Sequence, residues 1–383
     1  VNDRNKHRFE AMWPLPYGVS YNSYLIDDEM VALVDTVDIC YFEVYLRKIK
    51  QVIGERPINY LIINHMEPDH SGSIRLIKQH YPEIIIVGNK QTFGMIEGFY
   101  GVTGEQYLVK EGDFLALGHH KLRFYMTPMV HWPETMMTFD ETDGVLFSGD
   151  GFGCFGTVDG GFLDTRINVD KYWGEMVRYY SNIVGKYGSP VQKALQKLGG
   201  LPISAICSTH GPVWTENIAK VIGIYDRLSR YDADEGVVIA YGSMYGNTEQ
   251  MAEAIAEELS AQGVKNIVMH NVTKSHPSYI IADIFRYKGL IIGSPTYSNQ
   301  IFPEVEALLS KILLREVKGR YLGYFGSFTW AGAAVKRLAE FAEKSKFELV
   351  GDPVEMKQAM KDLTYTQCEN LARAMADRLK KDR

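Results

Sequence analysis

The chain has 383 residues, of which 46% are hydrophobic and 23% are charged, and these proportions are typical of globular proteins in water. The length exceeds one ordinary hydrophobic core and predicts two domains. The formal net charge of −6, without a Lys/Arg-rich run, argues against nucleic acid as a partner. No apolar run is long enough to span a membrane, and the polar start VNDRNKHRFE lacks a signal peptide, so we expect a cytoplasmic protein.

The cysteines are scattered along the chain and form no CxxC pair. They are Cys40, Cys154, Cys207 and Cys368. This spacing argues against a disulfide framework and against a zinc or rubredoxin-type iron site built from cysteines. We expect all of them to be reduced, buried thiols.

Short strands and helices mix irregularly up to about residue 225. The predicted strands are SYLID, VALVD, YLIINH, EIIIVG, KLRFYMT, GVLFSGD and ISAICSTH, and the predicted helices include YFEVYLRKIKQVI and VDKYWGEMVRYYSNIV. Turn-like segments such as EGD and TDG between successive strands predict that part of the sheet is antiparallel. We therefore predict an α/β domain built on a sandwich-like pair of sheets.

The segment HMEPDH, residues 65–70, follows the apolar run YLIIN and precedes SGSIRLI, which is predicted to begin a helix. Polar residues just past a buried strand are the usual location of a site in an α/β fold. In an extended segment, alternate residues point the same way. We therefore expect His65, Glu67 and Asp69 to share one face, with His70 beside them.

Three further candidate ligands lie at the ends of other predicted strands: His131 after KLRFYMTPMV, Asp150 in GVLFSGD and His210 in ISAICSTHG. Four imidazoles and three carboxylates without sulfur suit iron, manganese or zinc, and they suffice for two metals if one carboxylate bridges them. One such residue alone is more often a core histidine or a turn aspartate, but their combination favours a dinuclear site. Ordinary roles are expected for the other histidines: His7, His80, His119, His120, His270 and His276.

The composition becomes charged and polar in YDRLSRYDADEG, and we predict domains of residues 1–232 and 233–383. After this boundary, predicted strands and helices alternate regularly. The predicted strands include VVIAYGS, NIVMHNV, GLIIGSPT and RYLGYFGSF, and the predicted helices are NTEQMAEAIAEELSAQG, FPEVEALLSKILL, AGAAVKRLAEFAE and a last helix from about Tyr365. This rhythm predicts a five-stranded, doubly wound parallel sheet of flavodoxin-like size.

The loop GSMYGNTEQ joins a predicted strand to a predicted helix, and its hydroxyl, amide and backbone N–H groups suit a phosphate at the helix N-terminus. It has neither the lysine of a P-loop nor a GxGxxG pattern, and simple helix capping is the alternative. Two later loops, SPTYSNQ and GSFTWAG, supply aromatic residues that suit stacking on a flavin, although packing alone also explains an exposed aromatic residue. Together the loops favour FMN, with these candidate contacts: Ser243, Met244, Tyr245, Gly246, Asn247, Thr248, Pro295, Thr296, Tyr297, Asn299, Ser327, Thr329, Trp330, Ala331 and Gly332.

The motifs HxExDH, HWPETM, FSGDGFG and STHGP follow one another in an order that resembles flavodiiron proteins, and the resemblance covers nearly the whole chain. It implies a metallo-β-lactamase-like αββα sandwich followed by a flavodoxin-like domain. It also implies a diiron centre in which His65, Glu67 and His131 hold one iron, Asp69, His70 and His210 hold the other, and Asp150 bridges them.

Glu67 distinguishes hydrolysis by zinc from redox chemistry by iron. Hydrolytic relatives of the sandwich carry a third histidine at this position and use zinc to activate water. A carboxylate adds negative charge at the metals, which stabilises higher oxidation states and suits redox cycling by iron. The segment therefore favours an iron site that reduces a substrate.

The resemblance implies that FMN passes electrons to the diiron centre, which reduces O₂ to water or NO to N₂O. It further implies a head-to-tail homodimer, or a homotetramer, with an external donor such as rubredoxin, a flavoprotein reductase or reduced F420. The alternatives are a dizinc hydrolase with an accessory flavodoxin domain and a flavodoxin-type electron carrier without metal, and metal content distinguishes them.

Aromatic residues near the predicted site are Phe9, Trp13, Tyr179 and Tyr180. Their alternative roles are to close a dry substrate pocket or to pack in the core, and core packing is favoured. The segment FEAMWPLP departs from the histidine and tyrosine that the family often has before GVSYNSYLI.

Overall fold

The computed structural model describes residues 1–382, which form two compact units that divide between Ser229 and Arg230. Each unit has its own buried hydrophobic cluster. The domain boundary predicted between residues 232 and 233 lies close to this division and stays a prediction.

The strands of the first unit are short. In chain order they are β1 (Asn2–Asp3), β2 (Arg8–Phe9), β3 (Trp13–Pro14), β4 (Val19–Ser20), β5 (Tyr24–Ile26), β6 (Ala32–Val34), β7 (Tyr60–Ile62), β8 (Ile85–Gly88), β9 (Gln106–Leu108), β10 (Phe114–Ala116), β11 (Lys121–Met126), β12 (Met136–Asp140), β13 (Val145–Gly149) and β14 (Ala205–Ser208). The strands β1 and β4 form one small antiparallel pair, and β2 and β3 form another.

The remaining strands of this unit form two five-stranded sheets. The first sheet has the order β5-β6-β7-β8-β9, in which only the pair β5–β6 of the described strands is antiparallel. The second sheet has the order β10-β11-β12-β13-β14, in which β13 and β14 run parallel and the other neighbours run antiparallel. Val34 and Ile62 of the first sheet and Leu122 and Phe124 of the second belong to one buried cluster. The predicted sandwich with partly antiparallel strands is therefore confirmed.

The helices of the first unit are α1 (Phe42–Ile53), α2 (Pro68–Ser71), α3 (Ile74–His80), α4 (Lys90–Tyr100), α5 (Asp170–Tyr179), α6 (Gly188–Leu198) and α7 (Ile218–Ser229). Their apolar residues recur at helical spacing: in α1, for example, Tyr45, Leu46 and Ile49 are buried, which gives the stripe expected of a helix that packs on a sheet. A π-helical turn, Tyr180–Val184, continues α5.

The second unit contains β15 (Asp234–Tyr241), β16 (Ile267–Asn271), β17 (Tyr287–Tyr297), β18 (Gln300–Ile301), β19 (Tyr321–Phe328), β20 (Glu348–Leu349) and β21 (Val354–Lys357). The parallel sheet has the order β16-β15-β17-β19, and β20 and β21 then pair with successive parts of β19. The short strand β18 adds an antiparallel pair to β17. The predicted doubly wound parallel sheet is confirmed, with its fifth position divided between two short strands.

The helices of this unit are α8 (Asn247–Ala261), α9 (Pro277–Arg286), α10 (Pro303–Arg315), α11 (Ala334–Ser345) and α12 (Asp362–Lys380). Apolar residues of α8 and α12 pack in one cluster with Val237 and Ile239 of β15, so these two helices cover one face of the sheet. Because side chains alternate along a strand, Val238 points to the other face. The helix α9 was missed in the sequence, and α12 begins at Asp362, earlier than predicted.

Within residues 1–382, every helix falls short of the length and apolar character needed to cross a membrane.

The prediction that all cysteines are buried is wrong for Cys40. Cys154, Cys207 and Cys368 are buried, whereas Cys40 is exposed, because it lies in a short 3₁₀ turn, Ile39–Tyr41, at the surface before α1. Burial raises the pKa of Cys207 to about 12 and that of Cys368 to about 12.

We expect a thiol-reactive reagent to modify one cysteine per native chain, Cys40, because the other thiols are shielded and carry little thiolate. The hydrogen bond and charge of Asp38 also raise the pKa of Cys40, so labelling should accelerate at alkaline pH. Mass spectrometry of the labelled protein checks this, and Cys40→Ser should abolish the modification. Labelling of Cys207 before unfolding would contradict the burial.

Candidate metal centre and cofactor cavity

The candidate ligands of the first unit lie in loops that follow strands of both sheets. His65 and Glu67 follow β7, Asp150 follows β13 and His210 follows β14. Since β13 and β14 are parallel neighbours, Asp150 and His210 emerge at the same edge. His131 lies in the loop between β11 and β12, because β11 ends at Met126 and does not continue to Val130 as the sequence pattern predicted.

The segment HMEPDH is not extended throughout. Glu67 is the N-cap of α2 and Pro68 occupies its first turn, a position that suits proline because its missing N–H is not needed there. The expectation that His65, Glu67 and Asp69 share one face is therefore wrong. The turn into α2 sends Asp69 and His70 to a second group of side chains.

The first group consists of His65, Glu67, His131 and Asp150, whose ligand atoms all lie within 4.8 Å of one another. Oε2 of Glu67 lies 3.1 Å from Nε2 of His131 and 3.7 Å from Nε2 of His65. Oδ2 of Asp150 lies at the same distances, 3.1 Å and 3.7 Å, from these two nitrogens. Two imidazoles and two carboxylates thus converge on one point.

The second group consists of Asp69, His70 and His210. Nε2 of His210 lies 3.2 Å from Oδ2 of Asp69, and Nε2 of His70 lies 3.7 Å from Oδ1 of Asp69. The other oxygen of Asp150, Oδ1, lies 3.3 Å from Nε2 of His70 and 3.5 Å from Nε2 of His210. Asp150 therefore presents one carboxylate oxygen to each group.

Several of these atoms are buried and make no hydrogen bond within residues 1–382. They are Nε2 of His65, both ring nitrogens of His70, Nε2 of His210 and both carboxylate oxygens of Asp69. Buried polar atoms are rarely left unpaired in proteins. Nitrogen and carboxylate oxygen are suitable donors for iron, manganese or zinc, so the residues fit metal ions.

The electrostatics of the two groups agree with this fit. Burial alone lowers the pKa of a histidine and raises that of a carboxyl group. Here the charges of Asp69 and Asp150 outweigh burial and raise the pKa of His70 to about 10, while His70 and His131 hold the pKa of Asp150 well below its usual range. A metal ion can replace the protons that balance these carboxylates.

Residues that were not among the predicted ligands position the ligands. Nδ1 of His210 donates to the backbone oxygen of Ser20 at 2.7 Å, and Thr209 donates to Oδ1 of Asp150. Oδ1 of Asp35 accepts the backbone N–H groups of Asn64 and His65. Sequence reasoning missed these residues because their partners are remote in the chain.

Glu134 was also missed, although it lies in the quoted motif HWPETM. Its Oε1 accepts a hydrogen bond from Nδ1 of His65 at 2.7 Å and another from the backbone N–H of Met66 at 2.9 Å. Burial raises its pKa, but the hydrogen bond and charge of His65 outweigh burial and hold that pKa below the usual range. Its position shortly after His131, within the same motif HWPETM, was the signal that could have identified it.

The aromatic residues assigned to packing are all buried: Phe9, Trp13, Tyr179 and Tyr180. The rings of Phe9 and Tyr179 also lie against the imidazole of His210, with centroid distances of 5.3 and 5.9 Å. They therefore pack in the core and at the same time make one wall of the second group apolar.

His120 belongs to a third group of possible ligands, with Asp140 and Asp143. Nδ1 of His120 and Oδ2 of Asp140 already form a hydrogen bond of 2.8 Å, and Asp143 is exposed. An ordinary role for His120 explains this group.

The second unit contains a cavity of about 360 Å³ at the carboxyl ends of the neighbouring strands β15, β17 and β19. Of the predicted FMN contacts, all except Gly246 and Gly332 line it, and these two lie in the same loops. Sequence reasoning did not include Ser298, Phe328 and Gln358, which line it as well. The helix α8 begins at Asn247, so its N-terminal N–H groups lie at the cavity, where they suit a phosphate.

Large apolar side chains at this cavity remain exposed. Trp330 is 80% exposed, Tyr245 88% and Tyr297 49%. Exposed aromatic rings around a polar cavity offer stacking surfaces for a planar ligand.

Comparison with known families supports both halves of this description. Residues 19–211 match the family model described as ODP family beta lactamase, and residues 239–370 match the flavodoxin family. An anaerobic nitric oxide reductase flavorubredoxin of Vibrio vulnificus (strain YJ016) is 33% identical over 336 residues, which cover 86% of this chain and 68% of that protein.

Solved structures give the same result over the full length. Rubredoxin:oxygen oxidoreductase from Desulfovibrio gigas is 30% identical with a TM-score of 0.95, and the match covers 100% of this chain and 96% of that one. The flavodiiron protein of Giardia intestinalis is 26% identical with a TM-score of 0.93, over 100% and 95% of the two chains. The predicted fold class, a metallo-β-lactamase-like domain followed by a flavodoxin domain, is confirmed. The chain therefore belongs to the flavodiiron protein family.

Proposed function

We propose that this protein is an oxidoreductase that passes electrons from FMN to a pair of non-haem irons and reduces O₂ to water, NO to N₂O, or both. The observation that carries the proposal is the carboxylate of Asp150, whose two oxygens face two separate groups of histidine and carboxylate ligands. Relatives named as a nitric oxide reductase and as an oxygen oxidoreductase support the two substrates.

The proposed ligand set follows the two groups of side chains. His65, Glu67 and His131 would hold one iron, Asp69, His70 and His210 would hold the other, and Asp150 would contribute one oxygen to each. Glu67 supports iron over zinc, because a third carboxylate in addition to those of Asp69 and Asp150 compensates the higher charge of an oxidised metal.

The proposed flavin site is the cavity of the second unit. Ser243 and Thr248 lie at the N-terminus of α8, where hydroxyl and backbone N–H groups would hold the FMN phosphate. The aromatic rings of Tyr297 and Trp330 would offer stacking surfaces to the isoalloxazine ring. The predicted contacts at Gly246 and Gly332 belong to this proposal as parts of the same loops.

When bound, FMN accepts electrons from a donor and the iron pair delivers them to the small oxidant. The protein supplies the surroundings of that reaction. The buried rings of Phe9 and Tyr179 pack against His210, and that of Phe155 packs against both of them. This apolar wall keeps bulk water away from the second ligand group. Ser20 and Glu134 hold His210 and His65 through their Nδ1 atoms, so that each Nε2 is free to bind metal.

We further propose a cytoplasmic protein that receives electrons from a separate donor: rubredoxin, a flavoprotein reductase or reduced F420. By resemblance to its family, its working unit is a head-to-tail homodimer, alone or paired into a tetramer, in which the flavin of one subunit serves the irons of the other.

We expect Asp150→Ala to lower the metal bound by both groups, because one side chain contributes to each. His131→Ala should affect the first group only and leave roughly half of the metal, out of about two ions per chain. Elemental analysis of purified protein measures both, and circular dichroism with thermal unfolding is the control for folding of the first unit. Full metal content in Asp150→Ala would contradict the bridging role.

We expect Trp330→Ala to weaken FMN binding by about 1 kcal/mol, roughly fivefold in the dissociation constant, because one stacking surface is lost. Flavin titration followed by fluorescence measures the change. Tyr365→Ala is the matched control, since this partly exposed aromatic residue lies on α12 and outside the cavity lining. Equal affinities for all three proteins would place the flavin elsewhere.

We expect the fully reduced, iron-loaded protein to be reoxidised rapidly by O₂, by NO or by both in anaerobic single-turnover mixing. Flavin absorbance and N₂O production are followed separately for each gas. N₂O formed from NO establishes nitric oxide reduction, and reoxidation by O₂ alone establishes an oxidase. If neither gas reoxidises the flavin faster than it does in His65→Ala or Asp150→Ala, the proposed electron transfer is wrong. Bound zinc would then favour the hydrolase.

A further inference from the structure

Glu134 is a buried carboxylate beside the first ligand group. Its side chain is 0% exposed, and Oε1 lies 2.7 Å from Nδ1 of His65 and 2.9 Å from the backbone nitrogen of Met66. The other oxygen, Oε2, is buried and accepts no hydrogen bond in the part of the chain that the structure describes. A buried carboxylate in this state is costly unless a positive charge close by compensates it.

The hydrogen bond to Glu134 fixes which nitrogen of His65 carries the proton. Nε2 of His65 faces Glu67 and Asp150, at 3.7 Å from each. An imidazole that binds metal through Nε2 keeps its proton on Nδ1 and donates it to a nearby acceptor. Glu134 is that acceptor, and it therefore holds His65 in the tautomer and ring orientation that metal binding requires.

Glu134 is itself held in place. Nδ2 of Asn89 donates to the backbone oxygen of Glu134 at 2.6 Å, and the hydroxyl of Thr135 donates to the backbone oxygen of Trp132 at 2.9 Å. The indole of Trp132 lies edge-on to the imidazole of His65, with centroids 5.3 Å apart. The segment from Trp132 to Thr135 thus fixes the carboxylate and one side of the ring together.

The second ligand group has no equivalent carboxylate among residues 1–382. Nδ1 of His210 donates to a neutral backbone oxygen, that of Ser20, and Nδ1 of His70 makes no hydrogen bond with the described residues. Among carboxylates that face the Nε2 of a ligand or accept from its Nδ1, and apart from the shared Asp150, the first group therefore has two, Glu67 and Glu134, and the second has one, Asp69. The buried carboxylate of Asp35 lies near both groups, since its Oδ1 accepts the backbone N–H of His65 and its charge also acts on His70. A carboxylate on the remote nitrogen also makes an imidazole a stronger donor.

We propose that Glu134 is a positioning residue for His65 and that its charge makes the first metal site more electron-rich than the second, so that the first iron is the more easily oxidised of the two. This inference rests on the proposed diiron function and concerns a residue outside the ligand set. It assigns a cause to inequivalence between the two irons.

Three variants separate positioning from charge and from simple structure. Glu134→Gln keeps an oxygen that accepts both N–H groups but removes the charge, whereas Glu134→Ala removes both. Asp140→Asn is the matched control: Asp140 is a buried carboxylate at the other end of β12, and it pairs with Nδ1 of His120, which lies outside the two ligand groups.

The measurements are iron affinity by chelator competition, Mössbauer spectra of ⁵⁷Fe-loaded protein and reduction potentials of the two irons. Far-UV circular dichroism and thermal unfolding report whether the first unit of each variant folds. We expect Glu134→Ala to bind the first iron about 10–100-fold more weakly, with the second less affected. We expect Glu134→Gln to retain both irons and to raise the reduction potential of one iron only, with a change in one of the two Mössbauer signals. Asp140→Asn should match the unsubstituted protein in all three measurements.

The outcomes that overturn this proposal can be told apart from a failure of the proposed function. If the unsubstituted protein binds two irons, and Glu134→Gln leaves both potentials and both Mössbauer signals unchanged, Glu134 is only a structural anchor for Met66. The same conclusion follows if Asp140→Asn changes the signals as much as Glu134→Gln does. If the unsubstituted protein takes up no iron, the proposed function fails first, and that result is seen without any variant.

Discussion

The first unit depends on the compensation of charge around Asp150. This side chain is 1% exposed, and a carboxylate so deeply buried is tolerated only when positive charge surrounds it. His70 and His131 approach it from opposite sides at 3.3 and 3.1 Å. These partners come from loops that are remote in sequence. The sandwich can bring them to one carboxylate because several of its strands end at the same edge.

The candidate sites of both units are built in the same way. Parallel neighbours such as β13 and β14, or β15 and β17, end at one edge, and the loops that follow them carry the polar and aromatic residues. The buried strands have apolar side chains on their faces and supply rigidity, while the loops are free to carry chemistry. In the second unit this arrangement yields a cavity with hydroxyl groups at one end and exposed rings such as Trp330 at its rim.

Sequence patterns predicted the candidate site residues better than they predicted the path of the backbone around them. Asp150 and His210 were singled out because several such residues occur together after predicted strands, although each alone is ordinary. The structure places both just after strands, β13 and β14. The path of the chain was harder: Pro68 begins a helix inside HMEPDH, and the loop before His131 looked like a continued strand, because local apolar periodicity does not record where hydrogen bonding stops. Glu134 and Ser20 escaped detection since their roles depend on tertiary contacts with His65 and His210. The exposure of Cys40 could not be predicted either, because it depends on which parts of the chain pack over its turn.

The two-sided contact of Asp150 has a thermodynamic consequence for assembly of the centre. Both oxygens of Asp150 are in place before any ion binds, because the side chain is buried and is held by Thr209, His70 and His131. Its rotamer entropy is therefore lost on folding, and neither ion would have to order this ligand for the other. Ions at the two groups would then bind largely independently through their separate ligands, which is why a change at His131 is expected to spare the second group.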